Sequence, residues 1–116
     1  MEINFTELKE RPWYKFYPEE VRKQLESSYT LPVVPLYTFL ESSAKYYPQS
    51  TAMIYEPENF IINYADLRDV CLRFAAGLQQ KFGVKKGDKI AIYSRNYPEF
   101  LISHYGILMA GAVYVS

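Results

Sequence analysis

The stretch GVKKGDKIAIYSRNYPEF, Gly83 to Phe100, decides how the rest of the chain is read. Lys85-Lys86-Gly87-Asp88 is a charged turn. KIAIY (89–93) is a short continuous apolar run, which suits a parallel strand covered on both faces. Asn96 is placed to cap a following helix, with Pro98 in its first turn and Glu99 at the capping-box position. That helix, Phe100 to Ala110, is apolar almost all round and is expected to be buried. Gly111 ends it, and AVYV (112–115) reads as a second core strand. Strand, helix and strand at this spacing make a βαβ unit with a right-handed crossover.

Such a unit commonly opens a nucleotide-binding fold, and open α/β sheets place ligands beyond the carboxyl end of the strand. Here that position is Ser94-Arg95-Asn96, without a glycine. Backbone N–H groups at the helix start, helped by Arg95, offer an anion only a weak site. There is no GxGxxG. There is no GxxxxGK[ST] either, since Gly77 and Gly83 stand one residue too far apart and no Gly-Lys-Ser/Thr follows. Asn96 therefore reads as a cap, and Arg95 as a solvated or salt-bridged side chain.

Upstream, Leu67, Val70, Cys71, Phe74 and Leu78 fall at i, i+3, i+4, i+7 and i+11, one face of a helix. Asn63 can cap it with Asp66 three residues on, and Gly83 suits its left-handed stop. TAMIY (51–55) and FIIN (60–63) read as a hairpin across Glu56-Pro57-Glu58-Asn59. Leu36, Phe39, Leu40, Ala44 and Tyr47 mark a further helix between Pro35 and Pro48. Residues 1–34 read as an extended aromatic arm. In it Trp13, Tyr14, Phe16 and Tyr17 lie between Pro12 and Pro18, and a short helix is possible from Pro18 to about Ser27.

A chain of 116 residues is one domain by length, able to bury roughly two-thirds of its unfolded surface. Thirteen basic residues balance thirteen acidic ones, which argues against nucleic acid or a generally anionic surface as partner. No apolar run is long enough to span a membrane, and the N-terminus lacks a signal-peptide pattern. A single cysteine excludes an internal disulfide framework and fits a reducing cytoplasm. Cys71 falls on the packed helix face and reads as a core residue rather than a nucleophile. His104, the only histidine, reads as a hydrogen-bonded core residue rather than a base or ligand. Carboxylates are scattered, without metal-ligand spacing. These residues specify a fold and no chemistry: catalytic, cofactor-binding and metal-ligating residues are all expected to be absent.

In combination, PLYTFLESSAKYYPQSTAMIY, GVKKGDKIAI, PEF and GILMAGAVYV resemble the opening of the adenylate-forming acyl-CoA synthetase family. RPWYKFYPEEV resembles the first segment of its long-chain fatty-acid–CoA ligases. The resemblance covers about residues 10–116. It implies the N-terminal portion of an adenylate-forming large domain, α/β in class, with a hairpin, a βαβ unit and packed helices in residues 35–116. The family activates a carboxylic acid with ATP and Mg2+ as an acyl-adenylate, then passes the acyl group to coenzyme A. Its phosphate loop, adenine- and ribose-binding motifs and C-terminal lysine would all lie downstream of Ser116, so no catalytic residue carries over. Arg95 departs from the family, which often has proline before the asparagine.

The expectation is therefore an inactive N-terminal fragment of a fatty-acid–CoA ligase, cytoplasmic, with the parent optionally peripheral to a membrane. With its later neighbours missing, it is expected to form a homodimer. The alternative is a non-catalytic interaction or oligomerisation module derived from the fold. An unrelated nucleotide-binding domain is poorly supported by Ser94-Arg95-Asn96.

Overall fold

A computed structural model describes residues 9–26 and 34–115 of the chain. The chain divides into two compact units, Met1–Val34 and Pro35–Ser116. Where the sequence suggests an extended arm, the described part of the first unit is turned. A single 3₁₀ turn spans Tyr14–Phe16, and helix α1 runs Glu19–Glu26. Pro18 sits between them, where it ends one element and starts the next. The expected end of α1 near Ser27 lies outside the described residues.

The second unit begins with α2 (Tyr37–Tyr46), followed by strands β1 (Thr51–Tyr55) and β2 (Phe60–Asn63). These pair antiparallel, with Ile54 opposite Ile61 and Tyr55 opposite Phe60, and the register slips between Thr51 and Met53. The connection is a 3₁₀ turn, Glu56–Glu58, closed by Asn59 in the left-handed region at φ 49°. Asparagine tolerates that conformation better than most residues, so the turn signal has a mechanism.

Helix α3 (Tyr64–Phe82) starts as its sequence suggests. The Asp66 N–H donates to Asn63 Oδ1 at 2.8 Å, and Asn63 Nδ2 donates back to Asp66 Oδ2 at 2.8 Å. Gly83 closes it at φ 67°, and the Val84 N–H reaches the Leu78 carbonyl at 3.1 Å. A left-handed glycine just past the last turn is a common helix stop. Its inner face carries Leu67, Cys71 and Ala75. Leu67 and Cys71 join Leu40 of α2 and Ile62 of β2 in one core, sealed by Met53, Phe60, Leu101 and Tyr105.

Strand β3 (Lys89–Ala91), helix α4 (Pro98–Met109) and strand β4 (Val113–Val115) complete the unit. β3 and β4 pair parallel, Ile90 opposite Tyr114, which confirms the βαβ reading. Both strands are shorter than the KIAIY and AVYV runs. The turn before β3 is stitched to the turn after α4. Gly87 donates to the Gly111 carbonyl at 2.9 Å, and Val113 donates to the Asp88 carbonyl at 2.7 Å.

α4 packs closely on α3. A Cβ at Gly106 would stand 2.6 Å from Phe74 Cδ1 and 3.1 Å from the Cys71 carbonyl oxygen. Glycine at this position is therefore a close-approach residue.

Two expectations fail here. The first is the Asn96 cap: α4 is preceded by Tyr97, at φ −94° and ψ 163°, whose side chain makes no capping bond. Proline drives its predecessor into extended geometry, so Pro98 at the first helical position fixes Tyr97 as the cap and leaves Asn96 one residue outside. The second is full burial of this region. Within α4 only Pro98, Gly106 and Ile107 are buried. β3 is also open on the face away from α4, where Lys89 and Ala91 are exposed beside Val113 (46% exposed) and Val115 (41%).

Candidate functional site

Among the described residues, the position with the topology of a ligand crevice is the segment between β3 and α4. Its backbone leaves the sheet after Ile92, whose N–H donates to the Val115 carbonyl at 3.0 Å. From Tyr93 to Tyr97 every residue is exposed. Two of its polar groups bond within the segment. Ser94 Oγ donates to the Arg95 carbonyl at 3.0 Å, and the Tyr97 N–H donates to the same oxygen at 2.8 Å. The first turn of α4 contains Glu99, whose charge opposes an anion at that helix end.

Tyr97 meets Tyr55 of β1 edge to face, with ring centres 5.8 Å apart. Loss of water around the Tyr55 hydroxyl raises its pKa above the ordinary value, and Tyr97, Glu58 and Glu99 push in the same direction. All of these causes hold the phenol neutral. A nucleophile or base would need the opposite shift.

The two other residues with chemical potential are equally quiet. Cys71 is fully buried and its thiol is pushed up to about 11 by that burial. It is thus a packing group, as the sequence indicates. His104 is half-buried on α4, and its contacts are rings: Tyr114 at 4.5 Å between centres and Tyr105 at 5.6 Å. Among the described residues no three His, Cys, Asp or Glu side chains gather as metal ligands. An open cleft of about 440 Å³ lies elsewhere, between α2 and α3, lined by Glu41, Lys45 and Arg68 over Ala44 and Ala65. Tyr55 and Tyr97 were missed by sequence reasoning. A ring in a strand and a ring before a proline give no signal that they will meet.

The fold has counterparts among known proteins. The family model described as "AMP-binding enzyme" matches residues 40–116. This chain belongs to that family. A long-chain-fatty-acid–CoA ligase of Bacillus subtilis is 33% identical over 106 residues, covering 91% of this chain and 18% of its own length. The corresponding ligase of Yersinia pestis is 29% identical, with 92% and 18% covered. Among solved structures, the Klebsiella oxytoca NpsA N-terminal subdomain in complex with 3-hydroxyanthranilyl-AMSN superposes with a TM-score of 0.67 at 28% identity, over 78% of this chain and 22% of that one. The Mycobacterium tuberculosis fatty acyl CoA synthetase gives 0.62 at 27% identity, over 66% and 15%. The chain thus spans about a fifth of the length of the relatives it matches.

An AMP-binding family implies a nucleotide, and the residues present do not fit one. The β3–α4 turn has no glycine to let backbone approach a phosphate, its Ser94 hydroxyl and Tyr97 N–H bond within the turn, and Glu99 stands at the helix end. No chemical step can be routed through it. Among the described residues, no helix is long and apolar enough to cross a membrane.

Proposed function

We propose that this chain is the N-terminal scaffold of an ATP-dependent fatty-acid–CoA ligase. The parent forms an acyl-adenylate with ATP and Mg2+ and then a thioester with coenzyme A. The observation that carries the reading is the likeness to a long-chain-fatty-acid–CoA ligase over 91% of the chain. On this reading the arm, residues 1–34, precedes an α/β subdomain, residues 35–116, that is incomplete relative to the family. The chain itself contributes no catalytic, cofactor-binding or metal-ligating residue, is inactive alone and resides in the cytoplasm. Its role is to carry β3, α4 and β4 as a frame for loops supplied by the rest of the parent.

The reading has a direct test. Pure protein incubated with ATP, Mg2+ and palmitate is expected to release no pyrophosphate above a buffer control. Turnover that survives repurification would contradict the inactive-scaffold reading.

Isolated, the chain is expected to associate as a homodimer through the bare edge of β3 and β4. Unpaired strand edges and the exposed Val113 and Val115 side chains support this. Light scattering coupled to size exclusion measures it. A monomer mass throughout the micromolar range would refute the dimer.

A further inference from the structure

We propose that the guanidinium of Arg22, where the 3₁₀ turn meets α1, is a receptor for a carboxylate. The inference uses residues 14–23 alone, outside the region matched by the family model, so it stands apart from the ligase reading.

The 3₁₀ turn Tyr14–Phe16 and helix α1 are joined through Tyr17 and Pro18. A cleft of about 360 Å³ opens beside this junction, lined by Tyr14, Glu19, Arg22 and Lys23. Backbone bonds set its walls in place. The Tyr17 N–H donates to the Tyr14 carbonyl at 3.2 Å, and the Arg22 N–H donates to the Pro18 carbonyl at 3.0 Å. Tyr14 is buried, and its ring meets Tyr17 edge to face with centres 6.3 Å apart.

Arg22 brings to this cleft a donor that nothing answers. Its Nε is buried and has no hydrogen-bond partner among the described residues. Buried side-chain donors are nearly always bonded, because one left open has lost its water for nothing. A guanidinium cannot escape by releasing its proton, so the donor stays charged. The acid that lines the cleft does not close it either. Glu19 is taken by Lys23, one turn along α1, at 2.8 Å. That pair neutralises itself and leaves Arg22 as the spare positive charge of the cleft.

One ligand chemistry answers these features together. The Nε–H and a neighbouring Nη–H form a fixed planar fork, which two oxygens of a carboxylate match. A spherical anion such as chloride cannot meet both donors in line. Phosphate could meet the fork, but its second charge would face Glu19 in the same cleft. A single negative charge on two coplanar oxygens fits.

The Arg22 Nε–H can be followed directly in proton–nitrogen NMR spectra of the labelled full chain. Acetate is titrated in at constant ionic strength, balanced with chloride. A saturable downfield shift of that resonance is expected, half complete in the millimolar range. Acetate stands for a free acid, and N-acetylglutamate amide for an acidic side chain. Binding of either supports the site, and the tighter of the two names the source. Arg22→Lys keeps the charge and loses the fork, so acetate binding, read at the backbone amides of residues 14–23, should weaken about tenfold. Arg73→Lys is the control, since Arg73 lies on α3 and is paired with Asp69 at 2.9 Å. It is expected to leave the titration unchanged, and circular dichroism verifies that both variants stay folded.

Four results would overturn the proposal. One is no saturable shift into the tens of millimolar. Another is an equal response to chloride alone. A third is tighter binding of inorganic phosphate than of acetate. The last is an Arg22→Lys variant that binds acetate as well as the wild type, which would leave the fork without a role.

Discussion

The hairpin with α3 and the β3–α4–β4 unit lie side by side in one compact body, yet they differ in how much of their requirement is met. In the first, the inner face is closed, with Leu67 and Cys71 of α3 on Leu40 and Ile62. The outer face of the hairpin carries the exposed pair Ile54 and Ile61, as an antiparallel pair tolerates. Both ends of α3 are tied off by side chain or glycine. In the second, a parallel sheet of two strands is covered on one side only, and Val113 and Val115 face outward. Parallel sheets are almost always buried on both faces. The difference separates residues that serve this chain's own stability from residues arranged for something that covers them.

The contrast can be broken most forcefully by truncating one apolar side chain in each region. Leu67→Ala is expected to cost about 3 kcal/mol, because Leu67 is 2% exposed and a cavity would remain. Val113→Ala, at 46% exposed, should cost less than about 0.5 kcal/mol. Comparable losses in urea melts would mean that the sheet face is covered after all.

Next in size is a pH effect confined to the core. Folding raises the Cys71 thiol from 9.0 to about 11. Above the unfolded value the unfolded chain releases its proton while the native state keeps it. The contribution is therefore whole below pH 9 and is lost as pH climbs toward 11. Relative to Cys71→Ala, the wild type should lose about 2 kcal/mol across that window. Parallel pH profiles for the two proteins would remove the thiol from the account. At neutral pH the same burial should make Cys71 unreactive to a thiol reagent until the chain is denatured.

Gly106→Ala tests the seam between the regions. Alanine is the better helix former, yet its methyl would press on the Cys71 carbonyl and Phe74. A net destabilisation of about 1–2 kcal/mol is expected in thermal or urea unfolding. A stabilised variant would show that α4 can move off α3 without cost.

The smallest comparison concerns caps. Asn63→Ala should cost about 1 kcal/mol, since its oxygen holds the Asp66 N–H. Asn96→Ala should be within about 0.3 kcal/mol of wild type, because it lies outside the helix that Tyr97 and Pro98 begin. Equal effects would restore Asn96 as a cap.

Local signals carried most of this fold. The Asn63–Asp66 pair, the Gly83 stop and the hairpin turn are decided within a few residues, and each was legible. The Asn96 reading failed through competition between two local rules, with proline's demand on its predecessor overriding the asparagine. In the described part of the arm a 3₁₀ turn stands at Tyr14–Phe16, because prolines forbid a long helix without forbidding such a turn. The open face of β3 and β4 was illegible for another reason. An apolar run reports that a strand is meant to be covered, and it does not report whether the cover belongs to the same segment. At the candidate site the glycine-free turn Ser94-Arg95-Asn96 could be read directly from the sequence. The Tyr55–Tyr97 contact could not, since it depends on how the hairpin meets α4.

The central claim is that the β3–α4 turn carries the frame of a nucleotide-using enzyme and no nucleotide site. Backbone amide NMR of the isotope-labelled chain, titrated with Mg2+-ATP into the millimolar range, tests it most directly. The account predicts no saturable shift at the amides of Ser94 to Leu101. A saturable change confined to those amides, and lost in Arg95→Ala, would contradict it.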